Sequence, residues 1–319
     1  MPDRLYLGVD TSNYTTSVAV ATSDGEVLAN LKAPLPVREG ERGLRQSEAV
    51  FAHVKNLPAL LADLGELIGG REVVAVCVSD RPRPQEDSYM PCFLAGTVAA
   101  RALAAASGAP LYTTSHQEGH LMAALYSSGA AMNGRPFGAF HVSGGTTEML
   151  LATPNGAAFE VSCLGGTLDL HAGQVVDRIG VMLGLRFPCG RELEALAVQN
   201  TKKIPKPRIS VREGHCNLSG LENLATELYR STGDAPLTAA YVLRFISDTL
   251  LAMARHLRAE RGADLPLLFA GGVMSNRIIA RELTDALGGE VYFAEPAYSA
   301  DNAAGVALLG RAKALGLSV

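Results

Sequence analysis

Two histidines, His116 and His120, stand at positions i and i+4 in the stretch SHQEGHL. On a helix that spacing stacks both imidazoles on one face, within reach of one metal ion. It equally describes a chance pair of surface histidines. A zinc peptidase of the HExxH kind needs its glutamate beside the first histidine. Gln117 stands there instead, and Glu118 lies about 200° around the helical wheel from His116. The peptidase reading therefore lacks its general base. A third ligand has two candidates. Asp301, in SADNAAGVAL, opens a closing helix and reads either as a ligand or as an ordinary N-cap. His141 ends an apolar strand, FGAFHV, just before a Ser-Gly-Gly turn, and reads as a core histidine or as a further ligand. Two imidazoles and a carboxylate with open positions suit iron(II) or zinc acting as a Lewis acid.

Glycine pairs form a second constellation. Ser143-Gly144-Gly145-Thr146 joins two strands, Gly165-Gly166-Thr167 precedes a helix, and Gly271-Gly272 follows a strand. Glycine lets backbone N–H groups approach phosphate oxygens, and a helix N-terminus adds a favourable dipole. Three such turns at strand ends point to a nucleotide site. Asp169 would then accept a ribose hydroxyl or cap its own helix, and Asp177 would lie further along that helix. Asn276 and Arg277 would touch base or ribose, or form ordinary surface. Lys202, Lys203, Lys206, Arg208 and Arg212 make a dense basic cluster in TKKIPKPRISVRE, which reads as a solvated linker or as a phosphate-backbone contact.

These residues need elements to position them. The N-terminus reads strand, turn, strand, turn, strand over 5–9, 15–21 and 26–31, with Asp24-Gly25 as a hairpin turn. About 130 residues later the same grammar returns over 137–142, 148–152 and 157–163, with Asn155-Gly156 as the hairpin turn. The expected fold is therefore α/β and two-lobed, with duplicated β-hairpin-plus-strand units around a nucleotide cleft. Helices are expected over 47–68, kinked or broken by Pro58, and over 92–107, 169–183, 235–261 and 301–315. The lobes are expected at 1–115 and 116–300, the second holding the metal and nucleotide cleft. A closing helix over 301–319 would pack back on the first.

Composition narrows the class. A chain of 319 residues suggests about two domains. Twenty-eight basic against 32 acidic residues give −4, which excludes a globally basic nucleic-acid coat but leaves room for a local basic patch. Five cysteines without a CxxC pair argue against a disulfide scaffold or a cysteine zinc site and for a reducing compartment. The apolar stretch around 93–112 is broken by Arg101, so no membrane span is expected and the cytoplasm is the expected location.

Taken in order, VDTSNYTTSVAV, SHQEGHL, HVSGGTTE, GGTLDLHAGQVVDRIGVMLGL, NLSGLEN, FAGGVMSNR and SADNAAGVAL resemble the TsaD-type tRNA adenosine threonylcarbamoyltransferases, nearly end to end. The resemblance implies an actin/sugar-kinase/Hsp70-like fold. It implies His116, His120 and Asp301 as ligands of one divalent metal, iron or zinc. His141 falls where some relatives carry a tyrosine ligand. It implies that Ser143, Gly144, Gly145 and Thr146 face the phosphate of an adenylate. Asp169, Gly173, Asp177 and Gly190 would line the nucleotide, and Gly271, Gly272 and Asn276 would hold adenosine. Relatives move a threonylcarbamoyl group from threonylcarbamoyl-AMP to N6 of the tRNA adenosine beside the anticodon. They work with a TsaB-like paralogous subunit and a small ATPase.

The chain departs from the family pattern at four places. Asn13, Tyr14 and Thr15 stand where the family has a cysteine and two acids. Residues 81–89 replace a glycine-proline-glycine loop, Thr146 replaces histidine or asparagine, and Cys189 replaces a glycine. A divergent paralogue acting on another carbamoyl- or acyl-adenylate stays open beside the literal transferase. So does a non-catalytic nucleotide-binding partner of a true transferase. A small-molecule kinase of the same fold would need a general-base aspartate, which the sequence does not single out.

Overall fold

The computed structural model describes residues 4–12, 14–36, 44–85 and 87–319. Asn13 and Glu86 lie outside the described residues. The chain begins β1 (Leu5–Asp10), β2 (Thr15–Thr22), β3 (Val27–Pro34), α1 (Gln46–Ile68), β4 (Val73–Arg81), α2 (Phe93–Ser107), β5 (Leu111–Ser115) and α3 (His116–Ser128). It continues β6 (Phe137–Val142), β7 (Thr147–Asn155), β8 (Ala158–Gly166), α4 (Ala172–Met182), α5 (Gly190–Val198), β9 (Ser210–Arg212), β10 (His215–Asn217) and α6 (Ser219–Thr232). It closes with α7 (Ala235–Arg261), β11 (Leu267–Ala270), α8 (Arg277–Leu287), β12 (Val291–Phe293), α9 (Pro296–Ser299) and α10 (Ala304–Leu315).

Two compact units result. The first comprises Met1–Arg135, Thr153–Glu160 and Ala300–Val319, and the second Pro136–Ala152 and Val161–Ser299. Their sheets run β3-β2-β1-β4-β5 and β8-β7-β6-β11-β12, so each has an antiparallel three-strand meander followed by two parallel strands. The duplication legible in the strand grammar is present.

In unit 1 the alternation of β1 and β4 separates two packed faces. Leu7, Val9, Val76 and Val78 point to Leu60 and Leu64 of α1 and to Ala100 and Ala104 of α2. Gly8 and Cys77, on the opposite parity, meet Ala307 and Gly310 of α10. Pro58 does not break α1. It removes the N–H that would bond the carbonyl of Val54, and Val54 lies on the solvent side of the helix, so that oxygen is not forced into the core unpaired.

The expected boundary at residue 116 is corrected. Helix α3 starts at the end of β5, the edge strand of the first sheet, and packs on α10, so it belongs to unit 1. His116 and His120, expected in the C-terminal lobe, are therefore in the first unit together with Asp301, whereas His141 stays in the second.

Unit 2 is built on α7, whose apolar residues from Leu237 to Leu257 are buried against α4, α5, α6 and the sheet. Among the described residues it is the one helix long and apolar enough to cross a membrane, and it is mostly buried in the core. Phe140, Phe269 and Phe293 stack across neighbouring strands β6, β11 and β12, with ring centroids 4.7 and 5.0 Å apart. Two helices start later than their apolar pattern suggests. Helix α4 begins at Ala172 rather than 169, and α10 at Ala304 rather than 301.

Candidate metal centre and glycine turns

Helix α3 carries the histidine pair, and its first turn is set by a capping box. Ser115 Oγ accepts from Glu118 N–H (3.2 Å), and Glu118 Oε2 accepts from Ser115 N–H (2.8 Å). The same carboxylate accepts from the hydroxyls of Thr114 and Ser115 and from Phe159 N–H. Glu118 is thus a structural clamp facing away from the histidines. That agrees with the loss of the peptidase reading.

Asp301 reaches the pair because α3 and α10 cross at van der Waals contact of their backbones. A Cβ on Gly305 would overlap the carbonyl oxygen of Gly119, so only glycine permits this crossing. The N-cap alternative for Asp301 is removed: Asn302 Oδ1, not Asp301, accepts from Ala304 N–H (3.1 Å).

The donor atoms form a triangle. His116 Nε2 and His120 Nε2 are 3.0 Å apart, with Asp301 Oδ1 3.3 Å from His120 Nε2 and 3.6 Å from His116 Nε2. Metal–ligand bonds of about 2.1 Å place neighbouring donors about 3.0 Å apart at right angles and about 3.4 Å apart at tetrahedral angles. Two edges of the triangle fall in that range and the third, at 3.6 Å, lies just beyond it, and two nitrogens with one carboxylate oxygen are a donor set for zinc or iron(II). These residues fit the implied cation. His141 lies in β6 of unit 2, in register with Glu148 and Ala270, and is not in this donor group.

Asp10 is the residue that sequence reasoning missed. It sits at the end of β1, fully buried, with both oxygens near His116 Nδ1 (3.3 Å from Oδ1, 3.2 Å from Oδ2). Ser12 Oγ donates to Oδ2 at 2.6 Å, and the Ser79 hydroxyl donates to Oδ1. Burial pushes the Asp10 carboxyl up, but His116 and the two serines outweigh it and hold it below the usual carboxylate range. An ionised carboxylate only accepts, so His116 donates through Nδ1 and, when neutral, keeps its lone pair on Nε2, toward the triangle. Burial pulls His116 down, yet Asp10 and Asp301 prevail and raise it to about 9. Burial and then His116 lower His120. The two shifts run in opposite directions, so near neutral pH the pair favours one proton held mainly on His116, where a cation could replace it. The signal for Asp10 was its position, an acid at the end of a strand in the same turn that reads Ser-Gly-Gly in the repeat.

In unit 2 the structure sorts the remaining candidates. The turn after β6 is ordered by Ser143 Oγ, which accepts from Gly145 N–H (3.3 Å) and Thr146 N–H (3.1 Å) and so keeps its own proton for an acceptor. Gly144 and Gly145 are exposed. Gly173, in the first turn of α4, donates its N–H to Ser143 O (3.1 Å), which brings the helix start against the turn. Ser143, Gly144, Gly145, Thr146 and Gly173 therefore stand together.

Others serve the scaffold. Asp169 does not cap its own helix. It accepts from Leu218 N–H (2.7 Å), Ser219 N–H (3.2 Å) and Ser219 Oγ (2.6 Å), and so caps the start of α6. Burial opposes ionisation there, but these donors and Leu170 N–H hold the carboxyl well below the usual range. Asp177 accepts from Cys189 N–H (2.8 Å) and pins the loop leading to Gly190; burial raises its carboxyl. Asn276 caps α8 through Oδ1, accepting from Ile278 and Ile279 N–H at 3.0 and 3.1 Å. Gly271, at φ +102°, is needed because a Cβ would overlap Val142 O at the end of β6. Gly272 stays open.

Comparisons with known proteins place this arrangement. Among solved structures, full-length HypF in its phosphate- and nucleotide-bound form aligns with a TM-score of 0.59 and 12% identity, over 98% of this chain and 46% of HypF. HypF of T. kodakarensis aligns at 0.59 and 15%, over 98% and 48%. Component A of (R)-2-hydroxyglutaryl-CoA dehydratase from Acidaminococcus fermentans aligns at 0.55 and 15%, over 98% and 99%. At these identities the likeness is one of fold, the actin-like two-sheet α/β arrangement, and the chain spans about half of either HypF. Residues 42–308 match the family described as TsaD, tRNA N6-adenosine threonylcarbamoyltransferase. This chain belongs to the TsaD family.

Proposed function

We propose that this chain moves a threonylcarbamoyl group from threonylcarbamoyl-AMP to the N6 amine of the tRNA adenosine beside the anticodon. One divalent cation, iron(II) or zinc, would be held by His116, His120 and Asp301. The observation that carries the reading is the donor triangle, with spacings of 3.0, 3.3 and 3.6 Å, in a chain of this family. When bound, the cation supplies Lewis-acid polarisation of a substrate oxygen.

The chain's own residues do the rest. Asp10, steadied by Ser12 and Ser79, keeps the Nε2 lone pair of His116 available. The capping box at Ser115 and the Gly119–Gly305 contact hold the three donors in place. In unit 2, the Ser143 hydroxyl offers a hydrogen bond suited to an adenylate phosphate, beside the exposed glycines Gly144 and Gly145. An exocyclic adenine amine is a poor nucleophile, so positioning and charge stabilisation must lower the barrier. The new C–N bond forms as the carbamoyl C–O bond to phosphate breaks, AMP leaves and N6 loses a proton. The buried thiols do not suit a covalent intermediate: burial pushes Cys77 up to about 12 and Cys216 up to about 11.

A second reading, transfer of another carbamoyl or acyl group from its adenylate, is favoured by residues 81–89, which differ from the family's glycine-proline-glycine loop. One experiment decides between them. The purified chain, with its metal and the family's partner subunits, is incubated with threonylcarbamoyl-AMP and unmodified tRNA. The tRNA is then digested and its nucleosides weighed by mass spectrometry. Threonylcarbamoyladenosine supports the transferase, and its absence with all components present overturns it.

A further inference from the structure

The segment 201–212 of unit 2 carries five basic residues and no acid, in a chain whose net charge is −4. Read from sequence it is a solvated linker or a phosphate-backbone contact, and the structure anchors it. Pro207 is buried, and Ile204, Ile209 and Val211 pack against the core of the unit. From 206 onward exposure alternates: Lys206, Arg208, Ser210 and Arg212 face solvent, while Pro207, Ile209 and Val211 face the protein. Strand β9 pairs with β10, which turns Cys216 inward and leaves His215 and Asn217 outward, and Thr167 bridges to Cys216. The result is a fixed ribbon with one polar, cationic face.

The cations on it differ. Lys202 Nζ lies 2.6 Å from Asp234 Oδ2 and is committed to the start of α7. Arg212 meets only its neighbour Glu213 at 3.7 Å, with both side chains almost fully exposed, a weak pairing. Lys203, Lys206 and Arg208 have no ion-pair partner among the described residues. Two residues of extended chain advance about 6.6 Å, a pitch that lets successive cations reach phosphates along one strand. No outward residue from 206 to 217 on the alternating face is apolar, whereas protein interfaces draw on aromatic and apolar anchors. Phosphate backbones are bound by Lys, Arg, Ser and Asn, the residue types present here.

We infer that the outward face of this ribbon, through Lys203, Lys206, Arg208 and Arg212, is a docking site for the phosphate backbone of RNA. The identity of the RNA as tRNA rests on the transferase reading. The test measures binding of an unmodified tRNA transcript to the intact chain across salt concentrations. Three proteins are compared: wild type, Lys203→Gln/Lys206→Gln/Arg208→Gln, and a charge-matched control, Arg230→Gln/Arg255→Gln/Arg281→Gln. Each lost phosphate contact lowers the slope of log affinity against log salt by roughly 0.7–0.9, so the ribbon variant should lose about two units of slope and at least tenfold in affinity near 0.1 M salt. The control should match wild type, and circular dichroism checks that both are folded.

Equal loss in both variants, no change in the ribbon variant, or absence of tRNA binding by wild type would each overturn the inference. So would equal competition by polyglutamate, which would assign the face to acidic protein. The transferase reading fails separately. RNA binding through the ribbon without threonylcarbamoyladenosine formation removes that reading and leaves this one standing. Product formation with binding unchanged in the ribbon variant does the reverse.

Discussion

Replacing Asp10 by Asn preserves shape and volume while changing which proton His116 carries. In the native site both carboxylate oxygens lie within 3.3 Å of His116 Nδ1, and each also accepts from a serine hydroxyl. An Asn side chain loses the charge and turns an NH2 toward one of those serines, and where that NH2 rather than the amide oxygen meets Nδ1 the imidazole must accept there. That favours the tautomer with its proton on Nε2, the atom the cation needs. A hydrogen bond to a charged group contributes about 1.5–3 kcal/mol, so losing it weakens cation affinity by roughly 10- to 150-fold. Second-shell substitutions at metal-bound histidines fall in that range, about 10–100-fold. The assay is zinc or cobalt(II) affinity by competition with a chromophoric chelator, on protein whose near-UV circular dichroism is native. Ser79→Ala, which leaves the carboxylate in place, should give a smaller loss. Unchanged affinity in Asp10→Asn would refute the tautomer argument, and so would an equal loss in the two variants.

Other expectations follow from the same geometry. Gly305→Ala should push α3 and α10 apart, since its Cβ would meet Gly119 O, and should abolish cation binding while the chain still folds; a core truncation in unit 2, Leu193→Ala, should cost about 2–5 kcal/mol in urea melts and leave cation affinity intact. Alkylation at pH 8 followed by peptide mapping should label the exposed Cys163 and spare Cys77 and Cys216, whose thiols are pushed up to about 12 and 11. Asp169→Ala should destabilise unit 2 by about 1 kcal/mol through loss of the α6 cap, read as a shift of the urea midpoint. Because the folded-state pKa of Asp169 is depressed, its contribution is present above the unfolded carboxylate value of about 3.9 and lost as pH falls below it. Asp169→Asn should therefore flatten the stability profile between about pH 5 and pH 2.

The sheets were legible because hairpin turns and apolar runs are local signals, and the same run occurs twice in the chain. The histidine pair was legible for the same reason: a spacing of four within one helix needs no knowledge of anything else. Asp10 was not, because its role exists only once strand pairing sets the ends of β1 and β4 side by side and α3 folds across them. Asp301 could be read two ways, since the choice between cap and ligand turned on the side chain of Asn302. Asp169 misled in a similar manner. An acid before a helix looks like that helix's cap, yet its partners are Leu218 and Ser219, nearly fifty residues on. The lobe boundary failed at α3 because chain order says nothing about a helix crossing that depends on two glycines far apart in sequence.

The two copies of the repeated unit show how one topology can serve different chemistry. In each, the polar turn joins the first strand of the meander to the second. In unit 1 that turn is Asp10-Thr11-Ser12, fully buried: Asp10 aims at His116, and Thr11 Oγ1 is fixed between Cys92 O and Gly96 N–H at 3.0 Å each. A buried carboxylate there can be tolerated only because a cationic group and two hydroxyls satisfy it. In unit 2 the equivalent turn is Ser143-Gly144-Gly145-Thr146, glycine-rich, open to solvent and free of charge, and its hydroxyl proton remains available. The first arrangement suits a positive centre, with acids around it, and the second suits an anionic group, with neutral donors and no charge of its own. A neutral turn in unit 1 would leave the proton shared by the imidazoles without its counter-charge, and an acid in the unit 2 turn would repel a phosphate. The residue difference between two otherwise parallel turns therefore gives unit 1 a buried, hydrogen-bonded acid and unit 2 an open, uncharged turn.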